Sequence, residues 1–465
     1  MLRYIILREI KHNVLSLRLH IAFLLTITVF CLSTIVFVKN HADNLEKYKR
    51  DYNEYIENMR ETAESNLSSL AVRRRNFILE PRNTAFITDA KEKYTPNRFQ
   101  YSAYNVFGYD VTPGSANPYL NPFQELNWAF IVSIIISFTV FLFTFDSISG
   151  EKQSRTLAVS LANSISRGTL IFGKYLSTIL SSVIILIPGI CISLVIILLS
   201  GTVALTTATL GEIFGFLTAV VLFTACIAAF GMFASVLSHS ARVSLVIALS
   251  LWLIFAVLIP STAVFWSTAI FPIDKAETVD EKVTHERNDI NTNAPEGSWS
   301  SSSNNPFLPQ HELRAANQTN LMNSEKRIRD AYYHDRFRQF ERVRLMTLFS
   351  PVSLFEYISE AVVGGGYVQF QKTWNDLHVY QEQFLAFFKE KDASDPDSPH
   401  WYNPYEDLST TRKPANFEEL PLYKEKVISI DERIMQASIY LLVMVVYTAL
   451  VFFLTFVLFV RYDVR

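Results

Sequence analysis

The sequence contains little cysteine and little net charge. Its three cysteines, Cys31, Cys191 and Cys226, all lie within apolar runs, which predicts packing residues in a lipid environment and neither disulfides nor metal ligands. The formal net charge is only −2, so the basic excess with which nucleic-acid-binding proteins neutralise phosphates is missing. We therefore expect no metal centre and no nucleic-acid partner.

Long apolar runs, by contrast, dominate the chain. Hydrophobic residues make up 50% of its 465 residues and the mean hydropathy is +0.19, which is unusual for a soluble globular protein. Six stretches have about the 20 residues that a helix needs to cross the hydrocarbon core. They cover residues 19–38, 128–145, 176–199, 213–237, 243–271 and 439–460. The sequence predicts an all-α membrane protein with six transmembrane helices, the fifth kinked or leaving the bilayer near Pro260.

No Asp, Glu, Lys or Arg lies in the interior of these six stretches. Ion-driven carriers usually place an ionisable residue at membrane depth to bind the coupling ion. An intramembrane enzyme would need paired acids, Ser and His, or metal ligands there. Both classes are disfavoured, so we expect no catalytic residue in this chain and an energy source outside it.

Lys and Arg in the short segments beside the spans predict the orientation. The N-terminus, the link between stretches two and three, and the C-terminus carry such residues, whereas the link 200–212 has none. Both termini are therefore predicted to be cytoplasmic. The expected organisation is a cytoplasmic segment with span 1 (1–38), a first extracytoplasmic insertion (39–127), spans 2–5 (128–271) with a cytoplasmic link (146–175), a second insertion (272–438), and span 6 with the C-terminus (439–465).

The two insertions are expected to form one mostly helical extracytoplasmic domain. The spacing of apolar residues from Leu45 to Met59 predicts that span 1 continues outward as an amphipathic helix. Residues 99–109 are expected to be extended, and Arg73-Arg74-Arg75 to be solvated or to contact lipid headgroups. The second insertion is expected to hold a flexible loop at 291–305 and helices at 311–348, 352–363 and 367–391, with Gly364-Gly365-Gly366 between the last two.

The cytoplasmic link carries the residues with the most functional information. Residues 151–165 suit a short helix on the inner membrane surface, with Glu151 and Arg155 one turn apart on one face and Leu157 on another. We expect Asp146 to pair with Lys174 or Arg155. Glu151 should face both the N-terminus of the link helix and a basic surface of a partner. The residues of the link with candidate functional roles are Asp146, Glu151, Arg155, Thr156, Leu157, Arg167, Gly173 and Lys174.

This order of residues resembles the permeases of type-two ABC (ATP-binding cassette) exporters, in which the corresponding stretch is the coupling helix that docks into a groove of the ATPase. The resemblance also covers the six spans and the large insertion between spans 5 and 6. Residues 348–354 and 459–465 resemble the branch grouped with gliding-motility and copper-enzyme-maturation transporters. Two positions depart from the family: Arg155 stands where many members have Gly, and Ser164 where Pro is common.

The resemblance implies a permease subunit of the bacterial plasma (inner) membrane that is not itself an enzyme. Two ATPase subunits would hold the ATP and Mg, and a second permease, identical or paralogous, would complete the pore. Either substrate passes between the permeases, or motion is transmitted to an envelope or periplasmic partner. Because of its departure from the family, Arg155 inherits no role.

Two other interpretations concern the link and the class of protein. The link could be an ordinary basic loop that holds the topology, and the chain could be a membrane receptor or scaffold with a ligand-binding extracytoplasmic domain, although its inner segments are short for a signalling domain. Residues 168–175 read G-x-x-x-x-G-K-Y, in which Tyr175 replaces the magnesium-binding Ser or Thr of a phosphate-binding loop. We therefore expect no cofactor on this chain.

Overall fold

The computed structural model of the protein describes residues 1–89, 96–110, 126–162, 165–296, 309–406 and 410–462. Within these ranges six helices are long and apolar enough to cross a membrane. In chain order, spans 1 to 6 are Leu17–Ser65, Trp128–Gln153, Arg167–Ser200, Thr207–Leu237, Ala241–Ile270 and Ile430–Arg461. Each contains or closely matches a predicted stretch, and the all-α membrane fold is confirmed.

Other helices flank or connect the spans. They are α1 (Leu2–Val14), α2 (Leu67–Val72), α3 (Thr156–Ala162), α4 (Ala276–Thr292), α5 (Pro309–Thr347), α6 (Pro351–Val362) and α7 (Gly366–Ala393). Helices α5, α6 and α7 confirm the three predicted for the second insertion, whereas α1 and α4 were not predicted. The predicted flexible loop falls mostly on residues 297–305, which lie outside the described residues.

Span 5 stays helical through its proline, and the part beyond Pro260 packs against α5 of the second insertion. A π-helical turn, Ile254–Leu258, precedes Pro260, and the helix continues to Ile270. Proline has no backbone N–H, so it cannot donate to a carbonyl of the preceding turn. The Phe255 carbonyl instead accepts a hydrogen bond of 2.6 Å from the Ser350 hydroxyl, which satisfies a buried acceptor and ties span 5 to the start of α6.

Span 1 is a single helix of 49 residues, which confirms its predicted amphipathic continuation. Beyond it, three short antiparallel strands form a sheet in the order β1 (Arg75–Ile78), β2 (Arg98–Tyr101) and β3 (Val106–Asp110). The predicted extended region corresponds to β2 and β3. The arginine triplet differs from its prediction, because Arg73 and Arg74 are exposed but Arg75 is only 6% exposed.

Both insertions contribute to one aromatic core outside the apolar bundle. Met59, Phe99 and Tyr101 from the first insertion pack with Trp374 and Phe384 from the second. Full burial of one such side chain contributes roughly 1.5 to 3 kcal/mol to the free energy of folding. We call the part of the chain organised around this core the polar domain.

Helix α6 belongs to the second insertion but packs into the bundle. Leu354, Phe355 and Ile358 are fully buried there, and the Phe355 ring stacks on that of Phe223 in span 4 with centroids 4.6 Å apart. Apolar side chains of the second insertion therefore form part of the core of the bundle. The insertion is packed against the spans and not only connected to them through the chain.

Candidate functional site

The link between spans 2 and 3 is built differently from the single helix predicted for residues 151–165. Span 2 ends at Gln153 and α3 begins at Thr156. Between them, Arg155 has φ +59°, a left-handed conformation that interrupts a right-handed helix. Glu151 and Arg155 therefore do not lie one turn apart on one face. Asn163 and Ser164, at the end of the predicted helix, lie outside the described residues.

Lys174 is the most deeply buried charged residue of the link, with a side chain 3% exposed. Its ammonium group lies 3.0 Å from Glu9 Oε1 of α1 and 3.0 Å from Glu151 Oε1. The carboxylates are 19% and 20% exposed, so all three charges are largely withdrawn from water. Glu151 therefore pairs with Lys174. Contrary to our prediction, it does not face a partner protein.

Asp146 pairs with neither predicted partner. Arg18, at the start of span 1, donates to Asp146 Oδ2 at 2.7 Å and to the Leu142 carbonyl at 3.4 Å. Its guanidinium also lies 4.9 Å from the centre of the Phe145 ring. Asp146 therefore holds the end of span 2 to span 1.

Two further cations of the link bind the C-terminal ends of helices. Arg167 donates to the carbonyls of Phe459, Val460 and Tyr462 at the end of span 6, at 2.6 to 3.2 Å. Lys152 donates to carbonyls at the end of span 4, including that of Ser238 at 3.2 Å. The last carbonyls of a helix lack helical donors and carry partial negative charge, so basic side chains stabilise them.

Uncharged contacts complete the attachment of the link. Ser235 Oγ in span 4 accepts hydrogen bonds from the backbone N–H groups of Ile148 and Ser149 at 2.9 and 3.0 Å. Gln153 Oε1 accepts one from Ala241 N–H at the start of span 5, at 3.1 Å. Helix α1 approaches Gly173 so closely that a Cβ there would lie 2.7 Å from Ile5 Cγ2. The link and its flanking turns thus contact α1 and spans 1, 4, 5 and 6.

Helix α3 has one buried and one exposed side. Leu157 is 2% exposed and anchors the helix, whereas Val159 is 63% exposed. Thr156 and Ala158 are exposed as well. Helix α3 therefore leaves Val159, with Thr156 and Ala158, outside the packing of the chain itself.

Sequence reasoning missed four residues of this site: Glu9, Arg18, Lys152 and Ser235. Glu9 had a usable signal, because it is the only acidic residue among the first 18, between Arg8 and Lys11. Its apolar neighbours at helical spacing predict a helix whose inner face would include it. Ser235 had no usable signal, because serine is common in apolar runs and the partners of Ser235 are backbone groups.

A family model described as "ABC-2 family transporter protein" matches residues 3–464. The match covers the bundle, the link and both insertions. A search of curated proteins found no match.

Proposed function

The chain belongs to the ABC-2 transporter family, and from this premise we propose that it is the permease subunit of an ABC exporter whose ATPase lies on another chain. Two permeases, identical or paralogous, would pair in the bacterial inner membrane with two ATPase subunits beneath them. Both termini and the link would be cytoplasmic and the polar domain extracytoplasmic. ATP and Mg would bind the ATPase, so this chain alone should neither bind nor hydrolyse ATP.

The arrangement of the link is the observation that supports this proposal. A coupling element must receive force at an exposed surface and pass it to several spans. The link has an exposed face at Thr156, Ala158 and Val159, and its other side chains and backbone groups contact α1 and four spans besides its own. An ordinary basic loop that only held the topology would not need a buried lysine between two carboxylates.

The Val159→Glu variant tests the proposal. Val159 is 63% exposed, so the substitution should leave the fold intact while placing a charge in the surface that meets the ATPase. Val379→Glu is the matched control, because Val379 is also on a helix, is 47% exposed and lies in the polar domain. An ATPase subunit that co-purifies with the wild-type chain would be co-expressed with each variant, and its recruitment and its hydrolysis rate in reconstituted vesicles measured.

We expect Val159→Glu to lose ATPase recruitment, or to cut stimulated hydrolysis at least tenfold, and Val379→Glu to match the wild type. Equal recruitment and hydrolysis in both variants would contradict the role of the link. Magnesium-dependent ATP hydrolysis by the purified chain alone would contradict the division of labour. The coupling would drive either transport of a substrate or mechanical work on an envelope partner, and the branch that we propose is that of the gliding-motility and copper-enzyme-maturation permeases.

A further inference from the structure

Arg75, the last residue of the arginine triplet, is a buried cation in the polar domain. It opens β1, and its guanidinium Nη1 donates to the carbonyls of Leu70 at 2.6 Å and Arg73 at 3.0 Å. Its Nε and Nη2 atoms are buried without a hydrogen-bond partner. No carboxylate among the described residues is in ion-pair contact with it.

Three tyrosines lie near this guanidinium. Arg75 is paired with Tyr101 across β1 and β2, so the two side chains share one face of the sheet. The Tyr101 hydroxyl lies 2.5 Å from that of Tyr55, and the Tyr101 and Tyr380 rings are 5.5 Å apart. The Tyr380 hydroxyl is buried without a hydrogen-bond partner. Burial lowers the pKa of Arg75, which means that its surroundings do not fully compensate the charged guanidinium.

An unpaired buried guanidinium is costly, because it has lost its hydration and gained no opposite charge. Two adjacent guanidinium N–H groups form a planar fork that matches a carboxylate or phosphate group. A tyrosine O–H beside this fork supplies a further donor. The two guanidinium N–H groups and a tyrosine O–H therefore fit an oxyanion.

We propose that Arg75, with the hydroxyls of Tyr380 and of the Tyr55–Tyr101 pair, forms a binding site for a small oxyanion in the polar domain. The exposed Arg73 and Arg74 next to it raise the local concentration of anions. Because Arg75 and Tyr101 are 6% and 0% exposed, ligand exchange requires local opening of the domain, and binding reaches equilibrium slowly. This site is separate from the link and does not depend on the proposed ATPase coupling.

Equilibrium dialysis of the full chain in nanodiscs tests the site, with overnight incubation and empty nanodiscs as background. The probes are radiolabelled phosphate, sulfate and acetate, each at constant ionic strength set by chloride. We expect saturable binding of one oxyanion per chain by at least one probe. The phosphate and acetate arms distinguish an inorganic oxyanion from a carboxylate ligand.

Arg75→Met should abolish this binding, and Arg74→Met, which removes an exposed arginine one residue away, should leave the dissociation constant within about twofold. Tyr380→Phe removes one donor and should weaken binding about tenfold, which keeps the test decisive if Arg75→Met does not fold. Absence of saturable binding by the wild type to all three probes would overturn the proposal. Two combined results would overturn it as well. In both, Tyr380→Phe binds as tightly as the wild type, while Arg75→Met either also binds unchanged or fails to fold.

Discussion

Replacing Lys174 with Met should destabilise the bundle more than any neighbouring charge removal. The ammonium group is 3% exposed and lies 3.0 Å from each of two carboxylates, those of Glu9 and Glu151. Without it, two largely buried carboxylates face each other with no cation between them. Removing one partner of a buried pair typically costs about 3 to 5 kcal/mol, because the remaining charge stays desolvated and unpaired.

The comparison with single carboxylate variants makes this prediction quantitative. Glu9→Gln leaves Lys174 paired with Glu151, so we expect a loss of only about 1 kcal/mol. Removal of both carboxylates leaves Lys174 alone and buried. The double variant should therefore lose more stability than the sum of the single variants, since each carboxylate compensates for the absence of the other.

Cys226 provides the assay. It is fully buried in span 4, so its thiol should react with a fluorogenic maleimide only when the bundle opens. Cys31 and Cys191 would be replaced by Ala to leave one reporter, and the unfolding temperature recorded in nanodiscs. Lys174→Met should unfold roughly 5 °C or more below the parent. Lys11→Met, the same substitution at an exposed site of α1, should unfold with the parent.

Two outcomes would refute this reasoning. Lys174→Met could unfold within 1 °C of Lys11→Met, in an assay with a precision of about that size. The ion pairs of Lys174 with Glu9 and Glu151 would then make no net contribution to the stability of the bundle. If the two carboxylate variants were strictly additive, Lys174 would not be shared between them.

Three further predictions concern other parts of the chain. Arg155→Gly should raise the unfolding temperature, because glycine adopts the left-handed conformation without the steric cost of about 1 kcal/mol that arginine carries there. Arg155→Ala should not raise it. In intact cells that express a variant without native cysteines, an impermeant thiol reagent should label Ser394→Cys but not Ser154→Cys. The opposite labelling pattern would show that the predicted orientation is wrong. Hydrogen bonds from Lys413 and Thr411 lower the pKa of Asp395 to about 2 from 3.8. This stabilisation is complete above pH 4 and lost as the pH falls toward 2, so Asp395→Asn should flatten the acid-induced loss of stability measured by tryptophan fluorescence.

The spans could be predicted from the sequence because each is a property of contiguous residues. The run 213–237 is apolar over a full membrane crossing, and the structure has a helix at Thr207–Leu237. The outward continuation of span 1 was predictable for a similar reason, since residues three and four apart share one face of a helix. Neither prediction needed knowledge of a distant segment.

The ion pairs of the link could not be predicted in this way. The partner of Asp146 is Arg18, 128 residues away, and Glu9 lies 165 residues from Lys174. The prediction considered only Lys174 and Arg155 of the link as partners for Asp146, but the choice depends on which helix ends meet in the bundle. The break at Arg155 was not predicted either, because a left-handed backbone contradicts the local preference of arginine.

Span 6 joins the two ends of the molecule. At one end its last carbonyls accept hydrogen bonds from Arg167 of the link. At the other, Arg433 donates to Glu212 of span 4 at 2.5 Å and packs against Gly364, which has φ +65°. Buried ion pairs tolerate few alternative arrangements, because a lost partner leaves a desolvated charge. Span 6, a single helix of 32 residues, therefore has polar contacts at both ends, with the link at one and with span 4 beside Gly364 at the other.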